Sequence, residues 1–532
     1  MTGLREVAQD RTLYQWFADS AERHAQEPAL EVQGHVLSYG ELHRTALALA
    51  CRLVEAHGAV PDRVGLLATR TVSAYAGYLA GQRLGAAVVP LNPDYPRKRN
   101  TDIAERAGID AILVDAEHGA AVPDVSSGFE PTVLQMPSLP LPAGDLEQGA
   151  LPPVPTDTSR IAYILFTSGS TGRPKGVPIT QRSISASVSY NILRYEAGPG
   201  CRMSQVFGLT FDASVFDMFV AWGSGACLVV PSAQDLYTPV DFIVDQRLTH
   251  WFSVPSVITM ARLMGNMPLG RAVGLRHSLF GAEPVTIQHA DLWRQVAPHS
   301  RIHNLYGPTE ATITCTDYEL PTDRSMWPET SNHTVPIGRA YPHLEIVLLN
   351  EDGLPDGEGE LCVRGPQRFD GYLDPAEDMN RFLLFEEGSA PAAPYTGGGL
   401  TALHWYRTGD RVAVHGGSLV HRGRLDNQVK IMGHRVEIGE VEAALRQHVD
   451  VVEAAVVARS VDGETQLLAA YSGTCVPENR FHHWLRRQIP LHMVPRRIVH
   501  LDALPLNGNG KTDRRSLAEI LGDHTQPKAP TR

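Results

Sequence analysis

A run of small and hydroxyl residues followed by a lysine has the composition of a phosphate-binding loop. It comes directly after the apolar segment Ile161–Phe166, which is typical of a β-strand. Glycines let the backbone curl so that several N–H groups converge on one anion, and hydroxyls and a lysine add donors. The G-x-x-x-x-G-K-[ST] spacing is absent, so this is not a Walker A loop. The residues predicted to hold phosphate are Thr167, Ser168, Gly169, Ser170, Thr171, Gly172 and Lys175.

Other positions carry side chains suited to the rest of a nucleotide. Tyr306 can offer its ring face to adenine, and Asn304 can hydrogen-bond to a purine edge. Asp410 can accept hydrogen bonds from two ribose hydroxyls, although an aspartate in Thr-Gly-Asp can equally cap a turn. Lys511 follows Asn507-Gly-Asn-Gly510, which is typical of turns with positive φ, and most lysines on such turns are solvated.

Segments of helical and extended periodicity alternate in the first 120 residues. Strand, helix and strand in that order imply right-handed crossovers and a mostly parallel sheet. The predicted helices are Thr12–His24, Tyr39–His57 and Thr71–Leu84, and the predicted strands are Arg63–Ala68 and Ala86–Leu91. Seven prolines in Pro131–Pro155 predict a surface connection there.

The sequence after residue 160 predicts a further α/β block with a strand-rich block, and then a small separate domain. A second alternating block, from Ile161 to about Glu319, precedes a strand-rich block from Val335 to Arg422. Beyond these, a small α+β domain is predicted from helices at Glu437–His448 and Arg480–Gln488 and strands at Val451–Arg459 and Gln466–Ser472. The predicted fold class is therefore α/β. A large domain over 1–425, with mixed parallel sheets flanked by helices and a β-rich subdomain, precedes a small α+β domain over 427–521 and a polar tail over 522–532.

Composition excludes several classes of protein. The formal net charge is −12, and no basic tract is present, which argues against nucleic-acid binding. No apolar stretch reaches the ~18–20 residues of a membrane helix, and the first ten residues lack an apolar signal core. The six cysteines are at least 26 residues apart, so reduced thiols in a cytoplasmic protein are expected.

Seven motifs, in order, resemble the adenylate-forming superfamily of acyl-CoA synthetases, luciferases and the amino-acid adenylation domains of nonribosomal peptide synthesis. They span most of the chain. The motifs are Ile164–Val177, Phe211–Ser214, Asn304–Glu310, Gly359–Val363, Tyr406–Asp410, Gly423–Gly439 and Leu506–Lys511. The resemblance implies ATP and Mg²⁺ as cofactors.

The resemblance also assigns roles at the nucleotide. Tyr306 is expected to stack on adenine, beside Asn304, and Asp410 is expected to bind the ribose, with Arg424 as a second nucleotide contact. Thr309 is expected to contact the α-phosphate, and Glu310 to coordinate the metal.

Two further roles concern the small domain, which the resemblance implies is mobile. Asp426 corresponds to the hinge about which that domain rotates between two half-reactions, although an ordinary linker aspartate is the alternative. Lys511 corresponds to the catalytic lysine that bridges the substrate carboxylate and the α-phosphate. Lys511, Glu310 and Thr309 are therefore the predicted catalytic residues.

Asp212 distinguishes the branches of this superfamily. In amino-acid-activating members the corresponding aspartate pairs with the substrate α-ammonium, whereas the alternative is that Asp212 caps the following helix. The resemblance implies a mostly apolar pocket for a small or medium aliphatic amino acid. Its residues are Asp212, Ala213, Phe216, Phe252, Leu279, Gly281, Leu305, Ile313 and Thr314, together with Lys511.

The predicted function is ATP-dependent adenylation of an α-amino acid, followed by transfer to the phosphopantetheine thiol of a separate carrier protein. An acyl- or aryl-CoA synthetase and a non-catalytic nucleotide- or amino-acid-binding regulator are the alternatives. Gly416-Gly-Ser-Leu419 resembles a carrier attachment site, but its flanking residues favour a β-hairpin. We therefore expect a free-standing enzyme of a natural-product pathway, such as antibiotic biosynthesis. A small activating partner protein is left open.

Overall fold

The computed structural model describes residues 7–119, 122, 130–137, 151–169, 173–385, 391–426, 428–461, 464–505 and 512–523. The chain forms two compact units. The first unit comprises Met1–Pro93, Ile103–Phe166 and Gly176–Leu425. The second comprises Asp94–Asp102, Thr167–Lys175 and Asp426–Arg532.

The described residues form twelve α-helices. They are α1 (Leu13–Arg23), α2 (Tyr39–His57), α3 (Val72–Leu84), α4 (Arg97–Ala107), α5 (Gln181–Arg194), α6 (Asp212–Ser224), α7 (Pro239–Asp245), α8 (Ser256–Leu263), α9 (Ile287–Val296), α10 (Ile438–Arg446), α11 (Glu478–Leu485) and α12 (Arg514–Asp523).

The same residues form 26 strands. They are β1 (Pro28–Val32), β2 (His35–Ser38), β3 (Arg63–Leu67), β4 (Ala87–Leu91), β5 (Ala111–Val114), β6 (Thr132–Gln135), β7 (Ile161–Thr167), β8 (Lys175–Thr180), β9 (Arg202–Ser204), β10 (Cys227–Val230), β11 (His250–Ser253), β12 (His277–Phe280), β13 (Arg301–Tyr306), β14 (Thr316–Glu319), β15 (Arg339–Ala340), β16 (Glu345–Leu349), β17 (Glu358–Arg364), β18 (Phe382–Leu384), β19 (Ala393–Pro394), β20 (Trp405–His415), β21 (Ser418–Arg424), β22 (Gln428–Ile431), β23 (His434–Glu437), β24 (Val451–Val461), β25 (Glu464–Gly473) and β26 (Arg497–His500).

Three sheets build the first unit. A nine-stranded sheet has the order β15-β14-β13-β12-β11-β9-β10-β1-β2, and a six-stranded sheet has the order β6-β5-β3-β4-β7-β8. Their central strands pair in parallel. The third sheet is antiparallel, with the order β16-β17-β20-β18-β19 and β21 paired to β20. These layers confirm the predicted α/β class with a β-rich subdomain.

The second unit has a small α+β core. The β22–β23 hairpin and the sheet β24-β25-β26 lie with α10, α11 and α12. Val441 of α10 and Phe481 of α11 are fully buried against Val456 and Ala469 of the sheet. The predicted helices at Glu437–His448 and Arg480–Gln488 and the predicted strands at Val451–Arg459 and Gln466–Ser472 are confirmed as α10, α11, β24 and β25.

The boundaries of α2 show how the sequence sets a helix. The Ser38 hydroxyl accepts a hydrogen bond from the Glu41 N–H, and the Glu41 side chain accepts one from the Ser38 N–H. This capping box fixes the first turn. Gly58 ends the helix at φ = 78°, a conformation that favours glycine. The predicted helix Tyr39–His57 is confirmed.

The proline-rich segment contains an element that the sequence did not predict. The structure places strand β6 inside the expected surface connection Pro131–Pro155, in parallel with β5 at the edge of the sheet. The prediction of a surface connection therefore misses this half-exposed edge strand at 132–135. Pro131 and Pro137 flank β6, so neither proline removes a hydrogen-bond donor from within the strand.

The β20–β21 hairpin confirms the predicted structure around Gly416 and Gly417. His415 pairs with Ser418, so two glycines form the loop, with φ of 57° and 75°. Two positive φ angles in succession are the requirement of a type I′ turn. Among the described residues, no helix combines the length and the apolar character needed to cross a bilayer.

Three histidines stack inside the nine-stranded sheet. His250, His277 and His303 lie on neighbouring strands, with ring centroids 4.9 Å and 5.5 Å apart. Nε2 of His250 donates to the Tyr195 carbonyl oxygen at 2.7 Å, and Nδ1 of His303 lies 3.3 Å from an Asp317 oxygen. Burial lowers the pKa of His250 to about 4 and that of His277 to about 2.

These depressed pKa values predict acid sensitivity of the first unit. Below the ordinary histidine pKa of 6.5 the unfolded chain binds protons that the folded chain excludes. Stability is therefore fully present above pH 6.5 and is lost as the pH falls towards the folded pKa values. At pH 5 the loss should be about 2 kcal/mol for each of these two histidines. Urea unfolding at pH 7 and pH 5 checks this, and a His277→Leu variant should show a shallower dependence on pH.

Candidate active site

Three hydrogen-bond donors of the first unit contact the Asp410 carboxylate. The Tyr306 hydroxyl donates to Oδ2 at 2.6 Å, Nη1 of Arg424 donates to Oδ1 at 2.9 Å, and Nε2 of His421 lies 3.0 Å from Oδ1. Asp410 on β20 faces Arg424 on β21 in the hairpin register, so the two side chains meet directly. Burial and the Asp410 charge raise the pKa of Tyr306, which therefore stays a neutral donor.

Asn304 lies two residues before Tyr306 on β13, and its side chain holds the neighbouring backbone. Its amide nitrogen donates to the carbonyl oxygens of Val335 and Pro336, at 3.0 Å and 2.9 Å. The residue is 4% exposed. Asn304, which is expected to hydrogen-bond to a purine edge, thus directs its amide nitrogen at the backbone in this structure.

Glu310 is the buried carboxylate of the same region. It lies in a short 3-10 helix, Thr309–Ala311, and is fully buried, whereas Thr309 is half-buried. The Tyr372 hydroxyl donates to Oε1 of Glu310 at 2.7 Å, and the Phe369 N–H donates to its carbonyl oxygen at 2.9 Å. One carboxylate completed by substrate phosphates and water is a donor set that Mg²⁺ accepts, so this residue fits the implied metal.

The apolar residues predicted for the amino-acid pocket come together. The rings of Phe216 and Phe252 are 5.1 Å apart, and Phe252 pairs with Leu279 in the β11–β12 register. A Cβ at Gly281 would lie 3.1 Å from the Leu305 carbonyl oxygen and 3.4 Å from Cε2 of Phe252. Six predicted residues belong to one buried cluster: Ala213, Phe216, Phe252, Leu279, Leu305 and Ile313.

Asp212 is the first residue of α6. The N-cap position belongs to Phe211 and has no side-chain cap bond, so Asp212 lies one residue inside the helix and not at the cap position. Asp212 is half-buried and directly precedes Ala213, with Phe216 one turn further on. Burial, together with the Asp212 charge, raises the pKa of Tyr163. The Asp212 carboxylate therefore lies at the start of α6, next to the residues of the apolar cluster.

The predicted phosphate residues belong to the second unit. Thr167 ends β7 and Lys175 begins β8. The Ser168 hydroxyl donates to the Arg435 carbonyl oxygen at 2.7 Å and accepts from the Glu437 N–H at 3.0 Å. A Cβ at Gly169 would collide with the Arg173 carbonyl oxygen, so only glycine fits this position.

Four predicted site residues lie outside the described residues. They are Ser170, Thr171, Gly172 and Lys511. Asp426, the predicted hinge residue, is exposed and accepts a hydrogen bond from the Gln428 N–H at 3.2 Å.

Two family models match most of the chain. The model described as "AMP-binding enzyme" matches residues 17–373, and the model of the "AMP-binding enzyme C-terminal domain" matches residues 440–511. The chain belongs to the AMP-binding enzyme family. These matches confirm the predicted superfamily and the prediction of an ATP-dependent, AMP-forming ligase.

Curated relatives of this AMP-binding enzyme are peptide synthases. Surfactin synthase subunit 1 of Bacillus subtilis strain 168 is 32% identical over 99% of the chain, and tyrocidine synthase 1 of Brevibacillus parabrevis is 31% identical over 97%. The chain spans only 14% and 46% of these two relatives. The crystal structure of the Vibrio cholerae adenylation domain AlmE with glycyl-adenosine-5′-phosphate is 26% identical, with a TM-score of 0.80, over 96% of this chain and 98% of that one.

Several residues of the AMP-binding enzyme's site escaped prediction. His421 contacts Asp410, Tyr372 contacts Glu310, and the Phe207 ring lies 4.9 Å from that of Phe252. The Tyr341 hydroxyl donates to Oγ1 of Thr314 at 2.8 Å. Of these residues, His421 alone could have been found from the sequence, because it lies three residues before the predicted nucleotide contact Arg424, on the strand that pairs with that of Asp410. Tyr341 and Tyr372 reach their partners from 27 and 62 residues away in sequence.

Proposed function

We propose that this enzyme adenylates an α-amino acid and passes the aminoacyl group to a carrier-protein thiol. The observation that carries this proposal is the half-buried Asp212 carboxylate at the start of α6, beside the apolar cluster of Phe216 and Phe252. A carboxylate in this place offers a partner for an ammonium group, and the neighbouring walls offer an apolar lining for a side chain. The bound glycyl adenylate in AlmE, a structure similar to this chain, supports the same reaction class.

The first half-reaction is a displacement at phosphorus. A substrate carboxylate oxygen attacks the α-phosphorus of ATP, and the bond to the bridging oxygen breaks, so pyrophosphate leaves with that electron pair. We propose that Tyr306, Asp410 and Arg424 hold the nucleoside, while Thr309 contacts the α-phosphate. These residues position and balance charge without forming a covalent intermediate. Glu310 would hold Mg²⁺, which neutralises phosphate charge when bound.

The second half-reaction transfers the aminoacyl group. The phosphopantetheine sulfur attacks the aminoacyl carbonyl, AMP leaves, and the thiol proton passes to solvent. The peptide-synthase relatives support a carrier protein as the acceptor. Incubating the enzyme with ATP, the amino acid and a phosphopantetheinylated carrier should increase the carrier mass by one aminoacyl group, whereas transfer to free CoA alone would favour the acyl-CoA synthetase.

We propose a small or medium aliphatic amino acid as the substrate, with valine, isoleucine or leucine as the first choices. Phe216, Phe252 and Leu279 make the walls apolar, and Gly281 adds no side chain to them. A charged substrate side chain would be buried against these apolar walls without a partner of opposite charge, which costs on the order of several kcal/mol. Discrimination among aliphatic residues should be modest, because one methylene is worth only ~1–3 kcal/mol.

Replacing Asp212 by alanine tests the amino-acid class. We expect kcat/KM for every amino acid to fall on the order of 10²-fold, because the ammonium loses its charged partner. The KM for ATP should change little, since Asp212 is proposed to contact no phosphate. The measurement is ATP–pyrophosphate exchange over a panel of amino acids and their deaminated analogues. Asp352→Ala, at an exposed aspartate, is the matched control.

The panel also separates the alternatives. Preference of the wild-type enzyme for deaminated acids would contradict an amino-acid substrate and favour an acyl- or aryl-CoA synthetase. An absence of exchange with every acid, in a folded protein that still binds ATP, would favour a regulator. Activation of aspartate, lysine or arginine alone would show that the pocket has been misplaced.

A further inference from the structure

Residues 311–314 form a turn with an unusual backbone. Thr312 and Ile313 have φ angles of 58° and 75°. Both residues are β-branched, and the left-handed region is costly for such side chains. Backbone of this kind persists only where the surrounding structure holds it, and it is often found at functional sites.

Gln367 holds this turn from the opposite loop. It is fully buried, and its amide nitrogen lies 3.2 Å from the carbonyl oxygens of Ala311 and Thr312 and 2.8 Å from that of Thr314. The Thr312 hydroxyl in turn donates to the main-chain carbonyl oxygen of Gln367 at 2.5 Å. One side chain therefore contacts three of the four carbonyl groups of the turn.

A second residue fixes the direction of the Gln367 amide. Nε2 of His343 lies 2.6 Å from Oε1 of Gln367. Because Oε1 can only accept, the imidazole nitrogen is the donor, and the amide nitrogen is left to face the turn. The turn also packs closely against Gly307. A Cβ added to Gly307 would lie 2.6 Å from the Ile313 carbonyl oxygen, which is too close for any other residue.

The turn carries two residues of the amino-acid pocket. Ile313 belongs to the apolar cluster with Phe216 and Phe252, and Thr314 accepts the hydrogen bond of Tyr341. Glu310, just before the turn, has its own anchors in the Tyr372 hydroxyl and the Phe369 N–H. Loosening the turn should therefore displace the pocket wall more than the carboxylate.

We infer that Gln367 is a positioning residue that sets amino-acid specificity by holding the strained 311–314 turn through three carbonyl groups. Among the described residues, the hydrogen bonds of the Gln367 side chain join it to this turn and to His343, and none joins it to a predicted nucleotide residue. The inference rests on the proposed amino-acid activation, because the pocket wall that it positions is the wall proposed for the substrate side chain.

The test compares Gln367→Met with the wild-type enzyme and with Gln26→Met, a control at an exposed glutamine. Methionine keeps the length of the side chain and removes the amide. We expect kcat/KM for the preferred amino acid to fall about 10- to 30-fold, mainly through KM. Since a methylene is normally discriminated by about 10- to 200-fold, the ratio among valine, leucine and alanine should shrink about 3- to 10-fold. The KM for ATP should stay within about 3-fold.

A second variant covers the case in which Gln367→Met does not fold. Thr312→Val keeps the shape and removes only the hydroxyl that donates to the Gln367 carbonyl. It should shift the specificity ratio in the same direction by about 2- to 5-fold. Equal losses for all amino acids and for ATP, or unchanged ratios in either folded variant, would overturn the inference.

The same panel separates this inference from the proposed function. If the wild-type enzyme activates only deaminated acids, the amino-acid assignment fails. The ratios among those acids in the Gln367 and Thr312 variants then decide whether Gln367 positions the wall.

Discussion

Replacing Asp410 by asparagine is expected to lower kcat/KM for ATP on the order of 10²- to 10³-fold. The carboxylate accepts hydrogen bonds from Tyr306 at 2.6 Å and Arg424 at 2.9 Å, and its side chain is only 6% exposed. An asparagine keeps the shape, but it removes the charge and turns an NH₂ group towards one of these donors. Breaking a buried charged pair by removing one partner costs about 3–5 kcal/mol. ATP–pyrophosphate exchange at varied ATP concentration measures the effect.

The neighbouring ion pair provides a control for Asp410→Asn. Glu358 pairs with Arg411 at 2.8 Å on the adjacent strands, with side chains 43% and 57% exposed. Such exposed pairs contribute about 0–1 kcal/mol, so Glu358→Gln should leave ATP use nearly unchanged. If Asp410→Asn kept a wild-type KM for ATP in a folded enzyme, the assignment of this cluster to the nucleoside would be wrong.

The local pattern of the sequence predicts much of the fold, because each element is set by nearby residues. Helix α2 follows from its apolar spacing and its caps, and the β20–β21 hairpin follows from Gly416 and Gly417. Strand β6 was missed because an exposed edge strand has little apolar signal, and the surrounding prolines pointed to a loop. Its position depends on pairing with β5, which is a contact outside the local pattern.

The site is less predictable than the fold, because its contacts join distant parts of the chain. Motif resemblance identified Tyr306 and Asp410, which are 104 residues apart in sequence, but not the hydrogen bond between them. Gln367 has no periodic or compositional signal, since its role arises from the approach of a loop 53 to 56 residues away. Such roles require the three-dimensional arrangement of backbone carbonyl groups.

Replacing Lys511 by alanine should nearly abolish adenylation, although this residue lies outside the described residues. It follows Asn507-Gly-Asn-Gly510, within the matched C-terminal domain, and by its motif resemblance we propose that it bridges the substrate carboxylate and the α-phosphate. Removing a preorganised charged donor at a developing charge costs on the order of 10²–10³ in rate. Lys511→Arg should retain part of the rate, because it keeps the positive charge but changes its shape.

The step affected by Lys511→Ala can be isolated. Pyrophosphate exchange reports the adenylation step, while transfer from a synthetic aminoacyl adenylate to the carrier reports the second step. We expect the first to fall and the second to remain within about 3-fold of wild type, because a lysine at the attacking carboxylate and α-phosphate acts before the adenylate exists. Lys98→Ala, at an exposed lysine, should leave both steps unchanged. Equal loss of both steps, or exchange at the wild-type rate, would remove Lys511 from the adenylation mechanism.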